Sequence, residues 1–65
     1  MVKKDLRTLN VGVNYQVQTE TLFFGPATYK GIDLKRKYVF VHVPSKIEFH
    51  LPKKGLIVYS INKYV

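Results

Sequence analysis

The sequence predicts a small all-β domain, a strongly bent barrel of about five short strands. Apolar and polar residues alternate with a period of two in several short segments, as in half-buried strands. Glycine and proline separate these segments at short intervals, which is typical of tight turns. Helical spacing is confined to residues 3–10, where Leu6 and Leu9 lie three positions apart, so we expect at most a short helix there.

The first half of the chain predicts two or three strands. In residues 11–18, apolar side chains at odd positions alternate with polar residues or glycine at even ones. Residues 21–24 form a second apolar segment that stops at Gly25-Pro26. Residues 28–32 continue as a strand or a bent strand, because Gly25, Pro26 and Gly31 are typical of bulges and bends.

The second half predicts three more extended segments. Residues 38–43 are apolar on both faces, which indicates a strand covered on both sides. Residues 47–51 alternate, residues 52–55 begin with proline and end with glycine as a tight turn does, and residues 56–61 form the last strand, which extends to Val65 at most.

Closure into an SH3-like or OB-like barrel is expected, because an open meander this apolar would leave adhesive edges. The last strand ends close to Val65, so no later segment covers its outer edge. Pairing of that edge with another copy would cover it, and would also cover the second apolar face of residues 38–43. The sequence therefore predicts a homo-oligomer.

Length and composition fit one domain over residues 1–65, and a chain this short buries only about 60% of its unfolded surface. The chain has no cysteine, so we expect no disulfide and a cytoplasmic location. We also expect neither a secretory signal nor a membrane span. Eleven Lys and Arg against four Asp and Glu make the net charge +7, which favours an anionic partner, although plain solubility also explains such a charge.

Catalysis is not expected, and neither is a cofactor or a metal. The four carboxylates are well separated in the sequence and lie in polar or alternating contexts. His42 is expected to pack against its neighbours, and His50 is expected to be an exposed polar side chain. No phosphate-cradling glycine-rich motif is present.

Two basic turns are the more informative feature. One holds Lys35, Arg36 and Lys37, and the other holds Lys53 and Lys54. In a small barrel both turns can project from the same end. Cations there bind phosphates, and tyrosines beside them, such as Tyr29 and Tyr38, can stack on bases. The alternative is that the lysines serve solubility and Tyr38 belongs to the core.

The pattern resembles the Sm-like family, which includes bacterial Hfq, over residues 13–61. The first part of the motif is the alternating strand of residues 13–17, then Gly25, then Ile32-Asp33. The second part is Lys54-Gly55, followed three and six residues after the glycine by Val58 and Ile61. The sequence departs from the family in having Glu20 in place of a hairpin glycine and two extra residues before Asp33. It also has lysine at the stacking position (Lys35), the base-gripping position (Lys37) and the arginine position (Lys54).

The resemblance implies a bent five-stranded barrel after a short helix. It also implies a ring in which the fourth strand of one subunit pairs with the fifth strand of the next. RNA would bind at the inner rim, through phosphate contacts more than base reading because lysine replaces the base-reading residues. The expected RNA-binding residues are Asp33, Lys35, Arg36, Lys37, Tyr38, Lys53, Lys54 and Gly55.

Two other functions stay open at this point. The first is an SH3-like interaction module or a small phage-type inhibitor that binds an acidic protein surface. Its anchors would be exposed tyrosines, namely Tyr15, Tyr29, Tyr38, Tyr59 and Tyr64. The second is an OB-like protein that binds single-stranded DNA by groove charge and base stacking.

Overall fold

The structure, a computed structural model, describes residues 2–61 and confirms the all-β fold. The described strands form one antiparallel sheet with the order β1-β6-β2-β3-β4-β5. The elements are β1 (Val2–Lys4), a 3-10 helix (Leu6–Thr8), β2 (Asn14–Gln18), β3 (Phe23–Ile32), β4 (Tyr38–His42), β5 (Glu48–Leu51) and β6 (Ile57–Ser60).

The N-terminal segment corrects two predictions. A strand, not a helix, occupies Val2–Lys4, so the sheet has six strands where five were predicted, and the helix shrinks to Leu6–Thr8. Asp5 caps that helix by accepting a hydrogen bond from the backbone N–H of Arg7 at 2.9 Å. Because β1 pairs antiparallel with β6, the outer edge of the last strand is covered by an earlier segment of the same chain. The expectation of an uncovered edge on that strand was therefore wrong.

Strand β3 is long and bent, and it joins two segments that the sequence suggested as separate. The peptide bond between Gly25 and Pro26 is cis. Gly25 lies so close to β2 that a Cβ on it would be 2.5 Å from Gln16 Oε1. At the other end, the pairing with β4 shifts register between Tyr29 and Gly31, whose φ is 109°. The register shift is an irregularity of the β-bulge type, which bends a strand.

The bend brings the β2–β3 turn against the β5–β6 turn. A Cβ built on Gly55 would lie 2.8 Å from Glu20 Cγ, although these residues belong to turns far apart in the strand order. Within residues 2–61, β5 pairs with β4 alone, so β1 and β5 remain the edges of the sheet. A barrel closed by strand pairing stays a prediction.

The core lies on one face of this sheet, where alternate residues of the central strands meet. Phe40 is fully buried, and its ring centroid lies 5.3 Å from that of Tyr29. Val39, on the opposite face of β4, is also buried, so this part of the strand is covered on both sides within a single copy. The buried cluster consists of Tyr15, Val17, Ala27, Tyr29, Tyr38, Phe40, Leu56 and Val58.

Candidate nucleic-acid interface

The two basic turns lie at the same end of the sheet. The β3–β4 loop, residues 33–37, is followed by Tyr38, and Tyr38 pairs with Leu51, which precedes the β5–β6 turn. Arg36 from the loop and Lys53 from the turn therefore line one groove of about 510 Å³. We call the basic residues of these two turns the cationic rim: Lys35, Arg36, Lys37, Lys53 and Lys54.

Asp33 organises the β3–β4 loop. Its Oδ1 accepts hydrogen bonds from the backbone N–H groups of Lys35 at 2.8 Å and Lys37 at 2.9 Å. The backbone N–H of Asp33 donates to the Lys37 carbonyl, and that of Arg36 donates to the Asp33 carbonyl, both at 3.0 Å. Arg36 has a φ of 64°, a left-handed conformation that costs a non-glycine residue about 1 kcal/mol or more. Asp33 thus shapes the loop that carries three cations.

The second oxygen of Asp33 faces a histidine. His50 Nδ1 lies 2.7 Å from Asp33 Oδ2, and His50 Nε2 lies 2.5 Å from Glu48 Oε2. The hydrogen bond to His50, followed by that from the Lys37 backbone, lowers the pKa of Asp33 below its ordinary value. The hydrogen bonds to Asp33 and then Glu48 raise the pKa of His50. Both oxygens of Asp33 are thus engaged within the chain, one by the backbone of the loop and the other by His50.

Sequence reasoning missed this cluster. Glu48 and His50 are two residues apart in one strand and therefore share a face, a signal that was open to inspection. The third member, Asp33, could not be predicted from a local pattern, because it approaches His50 only through the register of β3 with β4 and of β4 with β5.

A second groove adjoins the loop on the side of β5. Asp33, Lys35, Lys37 and His50 line it together with Leu34, and its volume is also about 510 Å³. Leu34 stands at the loop tip and is fully exposed. The cationic rim thus presents two grooves, one beside His50 and one beside Tyr38, and each has basic side chains in its wall.

Lys54 and Gly55 lie on another side of the turn. Lys54 lines a smaller groove, of about 250 Å³, with Glu20 and Leu51, next to the β2–β3 turn. Gly55 has a φ of 77°, so glycine suits the position because a side chain there would be strained. The structure therefore brings Arg36 and Lys53 together in one groove and places Lys54 in a different one.

The tyrosines predicted as stacking platforms or anchors are mostly in the core. Tyr38 is only 8% exposed, and its ring stacks on Tyr29 with the centroids 6.3 Å apart. Tyr15 and Tyr29 are buried as well. Tyr59 is half-buried, and Tyr64 lies outside the described residues. The prediction of exposed tyrosine faces was thus wrong for Tyr15, Tyr29 and Tyr38, because inward-facing positions of the strands bury them.

The cluster around His50 is not arranged as a metal site. Its two carboxylates approach different ring nitrogens, and no group of three or more metal-ligating side chains is found in residues 2–61. The same part of the chain contains no helix of the length and apolarity that a membrane span needs. Comparison with known proteins finds no matching family model, curated protein or solved structure.

Proposed function

We propose that this chain is a non-catalytic RNA-binding protein that contacts the phosphates of RNA through the cationic rim. The observation that carries the proposal is the shared groove of Arg36 and Lys53, two cations from separate turns. Lys35 and Lys37 line a second groove beside the same loop, so the rim places four cations in two grooves. Such a cluster of Lys and Arg at one end is the electrostatic footprint of nucleic-acid binding.

Phosphate contact more than base reading follows from the side chains available. Four of the five cations of the rim are lysines, point charges that do not match a base edge in the planar, bidentate way that an arginine such as Arg36 can. The carboxylate of Asp33 is already used by the loop and His50, and the Tyr38 ring is packed in the core. Binding is therefore expected to be strongly salt-dependent and tolerant of sequence.

The resemblance to the Sm-like family supports the same class of function and adds a homo-oligomeric ring to the proposal. The pairing that it implies would use the free edge of β5 and the outer edge of β6. Since β1 already pairs with β6, assembly in that way requires β1 to leave its place. A cytoplasmic location, expected from the absence of cysteine, belongs to the proposal as well.

Charge removal in two places tests the proposal. One variant replaces Lys35, Arg36 and Lys53 with glutamine, and the control replaces Lys3, Lys4 and Lys46 with glutamine, so both lose three positive charges and each changes one residue with a positive φ. We expect the rim variant to bind a single-stranded oligoribonucleotide about 10- to 100-fold more weakly at low salt, and its salt slope to flatten by roughly 0.7 per lost phosphate contact. Fluorescence anisotropy at several salt concentrations measures both quantities, and a gel of the recovered RNA reports cleavage.

The control decides what a loss of binding means. If the rim variant binds as tightly as the parent at matched salt, the cationic rim is not the site. If both variants weaken equally, net charge attracts the RNA and the position of the cations does not matter. RNA recovered in pieces would overturn the non-catalytic part of the proposal.

A further inference from the structure

One side chain fastens the loop of the cationic rim to the neighbouring strand. The β3–β4 loop carries Lys35, Arg36 and Lys37, and its organiser Asp33 reaches β5 through His50. His50 in turn contacts Glu48. We propose that His50 is a proton switch for this site, so that its protonated ring ties down the loop and favours RNA binding, whereas its neutral ring releases the loop and weakens binding. This inference rests on the proposed function.

The number of protons on the imidazole ring of His50 explains why the loop has a tied and a released state. Each ring nitrogen of His50 faces a carboxylate oxygen, at 2.7 Å to Asp33 and 2.5 Å to Glu48. Ionised carboxylates only accept hydrogen bonds, so both contacts need an N–H on the ring. Only the imidazolium has two N–H groups, and the neutral ring turns a lone pair toward one of the carboxylates. Loss of one proton therefore breaks one of the two contacts.

The contact to Asp33 is coupled to the loop through the other oxygen of the same carboxylate. Asp33 Oδ1 holds the backbone N–H groups of Lys35 and Lys37, while Oδ2 faces His50. A rotation of the carboxylate after the His50 contact is lost moves both oxygens together. The backbone of the two lysines then loses its fixed acceptor, and the cations lose their preorganised position.

The charges around His50 set the direction of the switch. Asp33 and Glu48 contact the ring and favour its protonation, whereas Lys35 and Lys37 line the same groove and oppose it. The two direct hydrogen bonds prevail, because the pKa of His50 is raised above its ordinary value of 6.5. As the pH rises through that pKa, the rim loses a cation next to two carboxylates, so anion binding weakens. The same linkage makes the stabilisation by His50 complete below pH 6.5 and lost as the pH rises through the folded-state pKa.

His42 provides a control within the same chain. It is the other of two histidines, it ends β4 at the opposite end from the cationic rim, and its Nδ1 lies 2.7 Å from the hydroxyl of Ser45. A hydroxyl both donates and accepts, so this contact is compatible with either protonation state. Replacement of His42 is therefore expected to leave the loop unchanged.

Two measurements test the switch. Each is made on the parent protein and on the variants His50→Gln and His42→Gln. First, a pH titration by NMR follows both imidazole rings and the amide signals of Lys35 and Lys37. We expect these amides to titrate with the midpoint of His50, above pH 6.5, in the parent and in His42→Gln, and to show no such transition in His50→Gln. Second, anisotropy measures the binding of a single-stranded oligouridylate at about pH 6 and about pH 8.5, on either side of the expected transition. The affinity is expected to fall about 3- to 10-fold with pH in the parent and to stay nearly constant in His50→Gln.

The two measurements separate failure of the switch from failure of the proposed function. Amides that ignore the His50 titration overturn the switch whatever the RNA does. Amides that titrate while the affinity stays constant with pH show that the loop moves but does not control binding, which also overturns it. If the oligouridylate binds at neither pH, the proposed function fails. The switch then fails too as a control of RNA binding, even where the NMR titration shows that the loop moves.

Discussion

The two ends of the sheet carry the same unusual backbone feature with different surroundings. Arg36 in the β3–β4 loop and Lys46 in the β4–β5 turn are basic residues in the left-handed conformation, with φ of 64° and 62°. Arg36 shares a groove with Lys53, a cation from another turn. Lys46 stands between Pro44-Ser45 and the exposed Ile47. The comparison teaches that the left-handed conformation of a basic residue does not by itself gather charge; at the cationic rim a second segment adds Lys53.

The two histidines differ in the same way. His50 bridges two carboxylates at the cationic rim, whereas His42 contacts a serine hydroxyl at the far end of β4 and lies edge-on to Phe24. The two carboxylates around His50 both accept hydrogen bonds from a ring with two N–H groups, whereas the hydroxyl of Ser45 can either donate or accept. The charged side chains around each histidine, and not the strand that carries it, therefore distinguish the two ends of the sheet.

The largest expected effect concerns the core that holds both ends in place. Phe40 is fully buried between them, so Phe40→Ala should lower the free energy of unfolding by about 3–5 kcal/mol. For so small a domain that loss is comparable to the whole stability. Denaturant unfolding measures it, with exposed Ile47→Ala as the matched control, which should change stability by less than about 0.5 kcal/mol. Equal effects of the two changes would contradict the assigned core.

The next effect concerns the edges of the sheet. Deleting Val2–Lys4 removes β1 and uncovers the outer edge of β6. An uncovered edge pairs readily with another chain. We therefore expect the shortened protein to form larger particles than the parent, as measured by light scattering. An unchanged mass would show that copies do not assemble through β6, and the proposed ring would lose its basis.

The smallest effect tests the comparison between Arg36 and Lys46 directly. Glycine adopts the left-handed conformation without strain but loses more entropy on folding, so Arg36→Gly and Lys46→Gly should each change stability by less than about 1 kcal/mol. Each variant loses one positive charge, yet only Arg36→Gly should weaken RNA binding. Thermal unfolding and anisotropy on the same samples check both statements. Equal binding losses would remove the difference between the two ends.

Sequence reasoning predicted the parts that depend on local patterns. The alternation around Tyr15 and Val17 predicted β2, and the turn between Pro52 and Gly55 was confirmed with glycine in the left-handed region. Strand β1 was missed because three residues carry no measurable period. Gly25-Pro26 was interpreted as the end of a strand, although β3 continues through it with a bend.

The candidate site was predictable only in part, for a physical reason. The basic residues were visible as runs in the sequence, but their placement in particular grooves depends on the bend of β3. Residues 38–43 are apolar on both faces, so periodicity could not decide whether Tyr38 faces the core or a ligand, and burial decided for the core. The contact between Asp33 and His50 depends on long-range register, which no local pattern encodes.

Mapping bound RNA onto the backbone tests the central claim most directly. In an NMR titration of the parent with a single-stranded oligoribonucleotide, the amide signals of residues 33–37 and 53–55 should shift most, and those of Val43 and residues 45–47 should not move. The shifts should disappear when salt is raised, because phosphate contacts carry the binding. Shifts centred on residues 43–47, or a titration with no shifts at low salt, would contradict the account.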